Sequence, residues 1–281
     1  MIINKVFLFI NLRTSKPSMN IRSATQSFFK ILGILIFFLL ISFPKLNAQQ
    51  LPSIQTDRPD QTECPYIVPT KHIQLELGFN YESISTTDKN WILPTALWKY
   101  GVNDHFELRL ITEMNNKEIR GKGNSGLGFL PAEVGFKVKL IEEKGIIPKI
   151  SFISHLAIPK LSSKEYSTTY YAPNFRFTIL HTLSKDIILS YNLGTEWDGE
   201  NPEPIFIYTL SPAYSLNDKL SAYVELYGFA PQQRRADHRA DGGFVYLIKD
   251  NIQLDISGGC RVTDNAPEYY GALGLSLRWP R

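Results

Sequence analysis

The sequence predicts an all-β protein: a closed antiparallel up-and-down transmembrane β-barrel of about twelve strands, following an N-terminal signal peptide. Three observations lead there. From residue 73 to the C-terminus apolar residues alternate with polar ones at the period of a strand. The connections between these runs are by turns long and short. A short apolar stretch with a basic flank precedes them all.

That stretch is residues 31–43, from Ile31 to Phe43, with Arg22 and Lys30 before it and Pro44-Lys45-Leu46-Asn47-Ala48 after it. It is too short for a transmembrane helix, which needs about 20 residues. A basic flank, a short apolar core and a small residue at the exit make a secretory signal. Residues 1–48 are therefore expected to be removed after Ala48, and Met19 would serve as a start giving a signal of ordinary length. The segment also distorts the charge. The chain has a net charge of +3, but Lys5, Arg13, Lys16, Arg22, Lys30 and Lys45 all lie in residues 1–48 with no acid among them, leaving the remainder at −3. Nucleic acid is not an expected partner.

The strands expected on this pattern are 73–84, 91–100, 105–113, 129–141, 148–158, 171–182, 187–197, 205–216, 219–229, 242–248, 251–261 and 268–279. Ile73, Leu75, Leu77 and Phe79 set the pattern in the first, and Leu273, Leu275, Leu277 and Trp279 repeat it in the last. Turn residues fill the short connections: Gly101-Val102-Asn103-Asp104, Leu183-Ser184-Lys185-Asp186, Asn217-Asp218 and Asp250-Asn251. Polar loops fill the long ones, Asn115 to Ser125, Pro159 to Thr169 and Pro231 to Asp241. In a meander all long loops then leave at one end and all tight turns at the other, as in outer-membrane barrels.

Alternation alone does not say which face points inward. An apolar lumen in a barrel of this size would be a wide oily void, because eight strands already enclose as much as side chains or one small ligand can fill. With the apolar face outward, lipid covers it, water hydrates the interior, and closure satisfies every backbone polar group. Outer-membrane lipid is therefore the expected surrounding, and the bacterial outer membrane the expected location. Trp98, Tyr100, Phe106, Tyr214 and Trp279 fall on the outward parity near the tight turns, where an interfacial aromatic girdle belongs. The alternating C-terminal strand closing on Trp279 is the ending that barrel-assembly machinery reads.

Residues 49–72 form a periplasmic lead-in to the barrel of residues 73–281. It contains Gln55-Thr56-Asp57-Arg58-Pro59-Asp60-Gln61-Thr62-Glu63-Cys64-Pro65, then Val68-Pro69, and Gln74-Leu75-Glu76 follows in the first strand. With Tyr100-Gly101-Val102-Asn103-Asp104-His105-Phe106-Glu107-Leu108-Arg109 and, more loosely, Tyr191-Asn192-Leu193-Gly194 and Trp197-Asp198-Gly199, this resembles a family of outer-membrane transporters named for the meta-pathway of phenol degradation. Cys64 stands where that family usually has serine, and Lys71 where glycine is common. The resemblance implies a barrel with a transport role.

On the inward parity, Glu76, Glu82, Glu107, Glu113, Glu133, Glu196, Glu225 and Asp255 face Lys99, Arg109, Lys137, Lys139, Arg176, Arg261 and Arg278. So even a balance points to cross-strand ion pairs, Lys99 with Glu107 for instance, rather than to an ion-selective ring. Asp57, Arg58, Asp60 and Glu63 are expected to fold into the periplasmic mouth as a small plug, with Arg58 paired to a luminal carboxylate. Tyr223, Glu225 and Tyr227 share one inward face, where rings could stack on an aromatic ligand while the carboxylate binds its hydroxyl. With Arg109, Glu107 and Arg176 they make up the candidate ligand-binding set.

No catalytic, metal or cofactor site is expected. His155 has Ser151 and Ser154 nearby but no nucleophile motif around it, and no metal-ligand spacing appears. Cys64 and Cys260 could pair in an oxidising compartment. The basic loop from Gln232 to Arg239 could contact lipopolysaccharide phosphates. The function expected is passive transport of a small hydrophobic or aromatic molecule. The alternatives are a structural or adhesive protein with a closed lumen and, less so, a barrel enzyme.

Overall fold

The computed structural model describes residues 51–119 and 123–280. The signal peptide of residues 1–48 lies outside the described residues. The strands are β1 (His72–Ser83), β2 (Lys89–Asn103), β3 (Phe106–Ile119), β4 (Gly123–Phe129), β5 (Ala132–Ile141), β6 (Lys149–Ile158), β7 (Ala172–Thr182), β8 (Ile187–Glu196), β9 (Ile205–Ser215), β10 (Leu220–Pro231), β11 (Asp237–Lys249), β12 (Ile252–Arg261) and β13 (Tyr269–Pro280). All pairings are antiparallel and, closure apart, join consecutive strands, except that β5 pairs with β3 rather than β4. β1 pairs with both β2 and β13, which closes the sheet.

Thirteen strands make twelve staves. β3 pairs with β5 along its lower half, Phe106 opposite Val138 to Ile111 opposite Glu133, and with β4 along its upper half, Met114 opposite Phe129 to Ile119 opposite Gly123. β4 and β5 are thus one stave, broken at Leu130-Pro131. Pro131 has no N–H for the ladder, and the Leu130 N–H still donates to Glu113 O. The polar loop expected from Asn115 to Ser125 is therefore a correction: most of it is paired strand. The expected loop from Pro231 to Asp241 shrinks in the same way, because β11 already begins at Asp237. A 3-10 turn, Lys164–Tyr166, covers the free edge of β4: Ser163 N–H donates to Phe129 O, and the Tyr166 hydroxyl to Gly126 O. Covering an edge in this way blocks further strand pairing.

The outer surface is apolar. Leu108, Leu110, Phe177, Leu193, Phe206, Val224 and Leu273 are all exposed. Near the tight turns Phe106, Phe136, Phe152 and Phe177 follow one another from β3 to β7, at centroid spacings of 5.8, 6.3 and 5.2 Å. At the opposite rim Tyr81 packs on Trp91, at 4.4 Å, and on Tyr269. From Trp91 to Tyr100 on β2 the chain covers about 30 Å. A strand tilt of about 40° brings that close to the height of the hydrocarbon band of an outer-membrane barrel.

At the start of β1, Lys71 has φ 62°, the left-handed region that glycine occupies without strain. The glycine common there in the resembling family fits the same backbone.

Candidate functional site

The N-terminal segment does not hang below the barrel. It enters at the tight-turn end, where Ile54 N–H donates to Asp250 O, and runs up inside the lumen. It then turns back, leaving where the Thr70 hydroxyl meets Asp104. Gly101 makes room for this exit, since a Cβ there would overlap the carbonyls of Val68 and Pro69.

One side of the segment is held by charge. Asp57 accepts from Lys99 Nζ (2.9 Å), Arg109 Nη1 (2.9 Å) and Lys137 Nζ (2.9 Å), on β2, β3 and β5. Glu76 accepts the backbone N–H groups of Asp57 and Arg58, at 3.0 and 3.2 Å. Glu107 accepts that of Val68, at 2.8 Å. Arg109 also reaches Glu63 at 2.8 Å, and its Nε–H donates to His155 Nε2 at 2.9 Å. All of these wall residues are buried. Burial alone would raise the Asp57 carboxyl, but Lys137, Lys99 and Arg109 outweigh it and hold the group well below the usual carboxylate range. For Glu63, burial is again outweighed, with Arg109 leading, and its carboxyl is lowered.

The other side is held mainly by hydrogen bonds to the segment's backbone. Gln61 N–H and the Thr62 hydroxyl both meet Glu225, at 2.8 and 2.5 Å. Glu63 exchanges two backbone bonds with the Asn192 side chain. Arg176 donates to Gln61 O at 3.2 Å and pairs with Glu196 at 3.0 Å. Ser151 donates to Pro65 O, and Ser211 to Asp60. Burial pushes the Asp60 carboxyl up to about 7 against the Ser211 bond, with the charges of Asp241 and Asp57 adding to the rise.

Arg58 crosses to the β12–β13 wall. Its guanidinium meets Asp255 at 2.9 Å and lies over Gly78 and Gly274, which face each other across β1 and β13. A Cβ at Gly274 would overlap both Arg58 Nε and the Asp255 carboxylate. Gly274→Ala is therefore expected to cost the segment about 1.5–3 kcal/mol, the worth of a hydrogen bond to a charged group. Amide exchange over residues 56–60 should speed up at least about tenfold for that loss; unchanged exchange would mean the notch does not hold Arg58.

Tyr223, Glu225 and Tyr227 are buried side by side on the lumen face of β10. Arg109, Glu107 and Arg176 lie in the lumen too, but Arg109 and Glu107 are engaged by the segment and Arg176 divides between Glu196 and Gln61 O, which leaves these three little freedom to meet a ligand. Between the segment and the wall of β8 to β12 remains a cavity of about 290 Å³, bordered by Asp60, Ser190, Ser211, Ser221, Tyr223 and Gln253.

Several expectations need correcting. Lys99 faces Arg109 across the β2–β3 ladder, not Glu107, which faces Gly101; Lys99 pairs with Glu76 and Asp57 instead. Cys64 and Cys260 are both free, and burial pushes the Cys64 thiol up to about 12. Arg239 belongs to β11 and pairs with Asp237 and Glu82, so it leaves the loop expected to meet lipopolysaccharide. Sequence reasoning missed Asp241, because the strand that carries it starts earlier than its alternation shows. It also missed Gly78 and Gly274, whose only signal is the absence of a side chain.

A family model described as "Putative MetA-pathway of phenol degradation" matches residues 56–279. The chain belongs to that family. No curated protein is similar to it in sequence. Among solved structures it is similar to the COG4313 outer membrane channel from Pseudomonas putida F1, with a TM-score of 0.64 and 10% identity over 79% of this chain and 99% of that one. The NanC porin follows with a TM-score of 0.49, 10% identity, 72% and 98% coverage. The CymD monoaromatic hydrocarbon channel has a TM-score of 0.42, 9% identity, 76% and 89% coverage. At such identities the likeness is one of fold, and the fold is that of an outer-membrane β-barrel.

Proposed function

We propose that this protein is a passive outer-membrane channel for small hydrophobic or aromatic molecules, and that residues 51–71 are a plug that narrows its periplasmic mouth. The observation that carries the reading is the contrast between an apolar outer wall and a polar lumen that the segment occupies without filling. The segment bonds to strands on nearly all sides yet leaves about 290 Å³ beside Tyr223 and Asp60. That space suits a small molecule at the lower end of the usual range for ligand pockets. Tyr223 and Tyr66 border it with aromatic rings, and the family's description, which names phenol degradation, agrees with an aromatic solute.

The test is uptake into liposomes holding the purified protein. Phenol-sized solutes are expected to equilibrate much faster than into protein-free liposomes, while oligosaccharides stay outside. Equal rates with and without protein would favour a closed barrel acting through its outer loops.

A further inference from the structure

The charges of the lumen are not mixed but segregated. On the β2–β7 side every described luminal Lys and Arg that the segment touches is matched by Asp57, Glu63, Glu76, Glu107 or Glu196. On the β9–β12 side lies a different group. Glu225 and Asp241 face each other directly across the β10–β11 ladder, an arrangement in which like charges repel. Asp60 joins them from the segment, held by Ser211. Among the described residues none of the three forms an ion pair. The base nearest them in sequence, Arg239, is held by Asp237 and Glu82.

A second observation points to a ligand. The Tyr223 ring lies across Gly243 toward Ser257, in a row set by the registers of β10, β11 and β12. Tyr223 interacts electrostatically with Asp241, Asp60 and Glu225. Yet the Tyr223 hydroxyl, the Ser257 hydroxyl and Asp241 Oδ1 are all buried without a hydrogen-bond partner, in residues 7%, 7% and 9% exposed. One rung along, Tyr270 lies over Gly259 and donates its hydroxyl to the other Asp241 oxygen. One carboxylate oxygen and two hydroxyls without partners, carboxylates without bases, and the rings of Tyr223, Tyr227 and Tyr270 around them match a cation that carries N–H groups and an apolar body.

We infer that the face formed by Asp60, Tyr223, Glu225 and Asp241 binds small aromatic ammonium ions and makes the passage cation-selective. The inference rests on the channel reading and sharpens its substrate class. The ammonium places N–H donors on Asp241 and Glu225 and relieves their mutual repulsion, while its ring lies against the tyrosines. An aromatic carboxylate of the same size meets only like charge.

The test uses the full mature chain in planar bilayers under a KCl gradient, with benzylammonium, phenol and benzoate as probes. The reversal potential should report cation selectivity, and benzylammonium should block the K⁺ current at concentrations where benzoate and phenol do not. Asp241→Asn and Tyr223→Phe, neither of which removes a hydrogen bond to the segment, should each weaken the block by at least about tenfold, the worth of one charge-assisted hydrogen bond. An unselective or anion-selective current overturns the inference. So does a block by phenol equal to that by benzylammonium, which would mean that shared protons neutralise the acids. A barrel that carries no current sinks the channel reading instead, and calorimetry in detergent then decides the site: benzylammonium binding lost in Asp241→Asn upholds it, and no binding overturns it.

Discussion

Deleting residues 50–66 is expected to raise single-channel conductance severalfold while leaving the barrel folded. The segment bonds to side chains on β1, β2, β3, β5, β6, β7, β8, β9, β10, β12 and β13. It contributes nothing to the ladder, whose closure through β1 and β13 satisfies the wall by itself. Removing it leaves Lys99 with Glu76 and Arg109 with Glu107, while Lys137 loses Asp57, its ion-pair partner among the described residues. The mouth should then widen and also turn basic, so selectivity should move toward anions as the current rises. Heat-modifiable migration in gels would show that the barrel persists. Unchanged conductance in a folded barrel would mean that these residues do not limit the passage.

The parts of this molecule that were legible in its sequence are those the bilayer dictates. Hydrocarbon demands one apolar face, so Leu273 to Trp279 or Ile73 to Phe79 reveal strand, parity and orientation together. Above the membrane that demand ends. Asn115, Asn116, Lys117 and Glu118 belong to β3, but all four are polar, so no alternation of apolar with polar residues marks them as strand. Asp237 to Asp241 lie in β11 for the same reason unseen. The charges of residues 57–63 announced that they needed partners, but not which ones. Arg58 meets Asp255 because two glycines from strands at opposite ends of the barrel's sequence happen to face each other. Pairings of that kind depend on closure and register, which no local pattern encodes.

Asp57 is where the segment is most sharply tied, and Asp57→Ala is expected to release it. The carboxylate bonds three cations on three strands, in a site almost without solvent. Removing one partner of a buried ion pair costs about 3–5 kcal/mol, because the charge left behind is neither solvated nor paired. That is more than a hundredfold in the docking equilibrium. Protease or amide-exchange protection across residues 57–68 should fall accordingly, and Asp57→Asn, which keeps an acceptor for the Cys64 N–H but not the charge, should fall between. Acidity then offers an independent check. The Asp57 carboxyl is lowered by its cations, so its stabilisation is present above the unfolded value of about 3.9 and is lost only as pH falls through the much lower folded value. Asp60 behaves in the opposite sense. Its folded value is about 7, so its contribution is complete below about 4 and is lost as pH rises from there to 7. Docking should therefore be firmest near pH 4 and weaker at pH 8, with the alkaline weakening absent from Asp60→Asn. An Asp57→Ala protein as protected as the parent at pH 5 would show that the three cations are satisfied without the segment, and that its seat depends on the hydrogen bonds to Glu225, Asn192 and Ser151 instead.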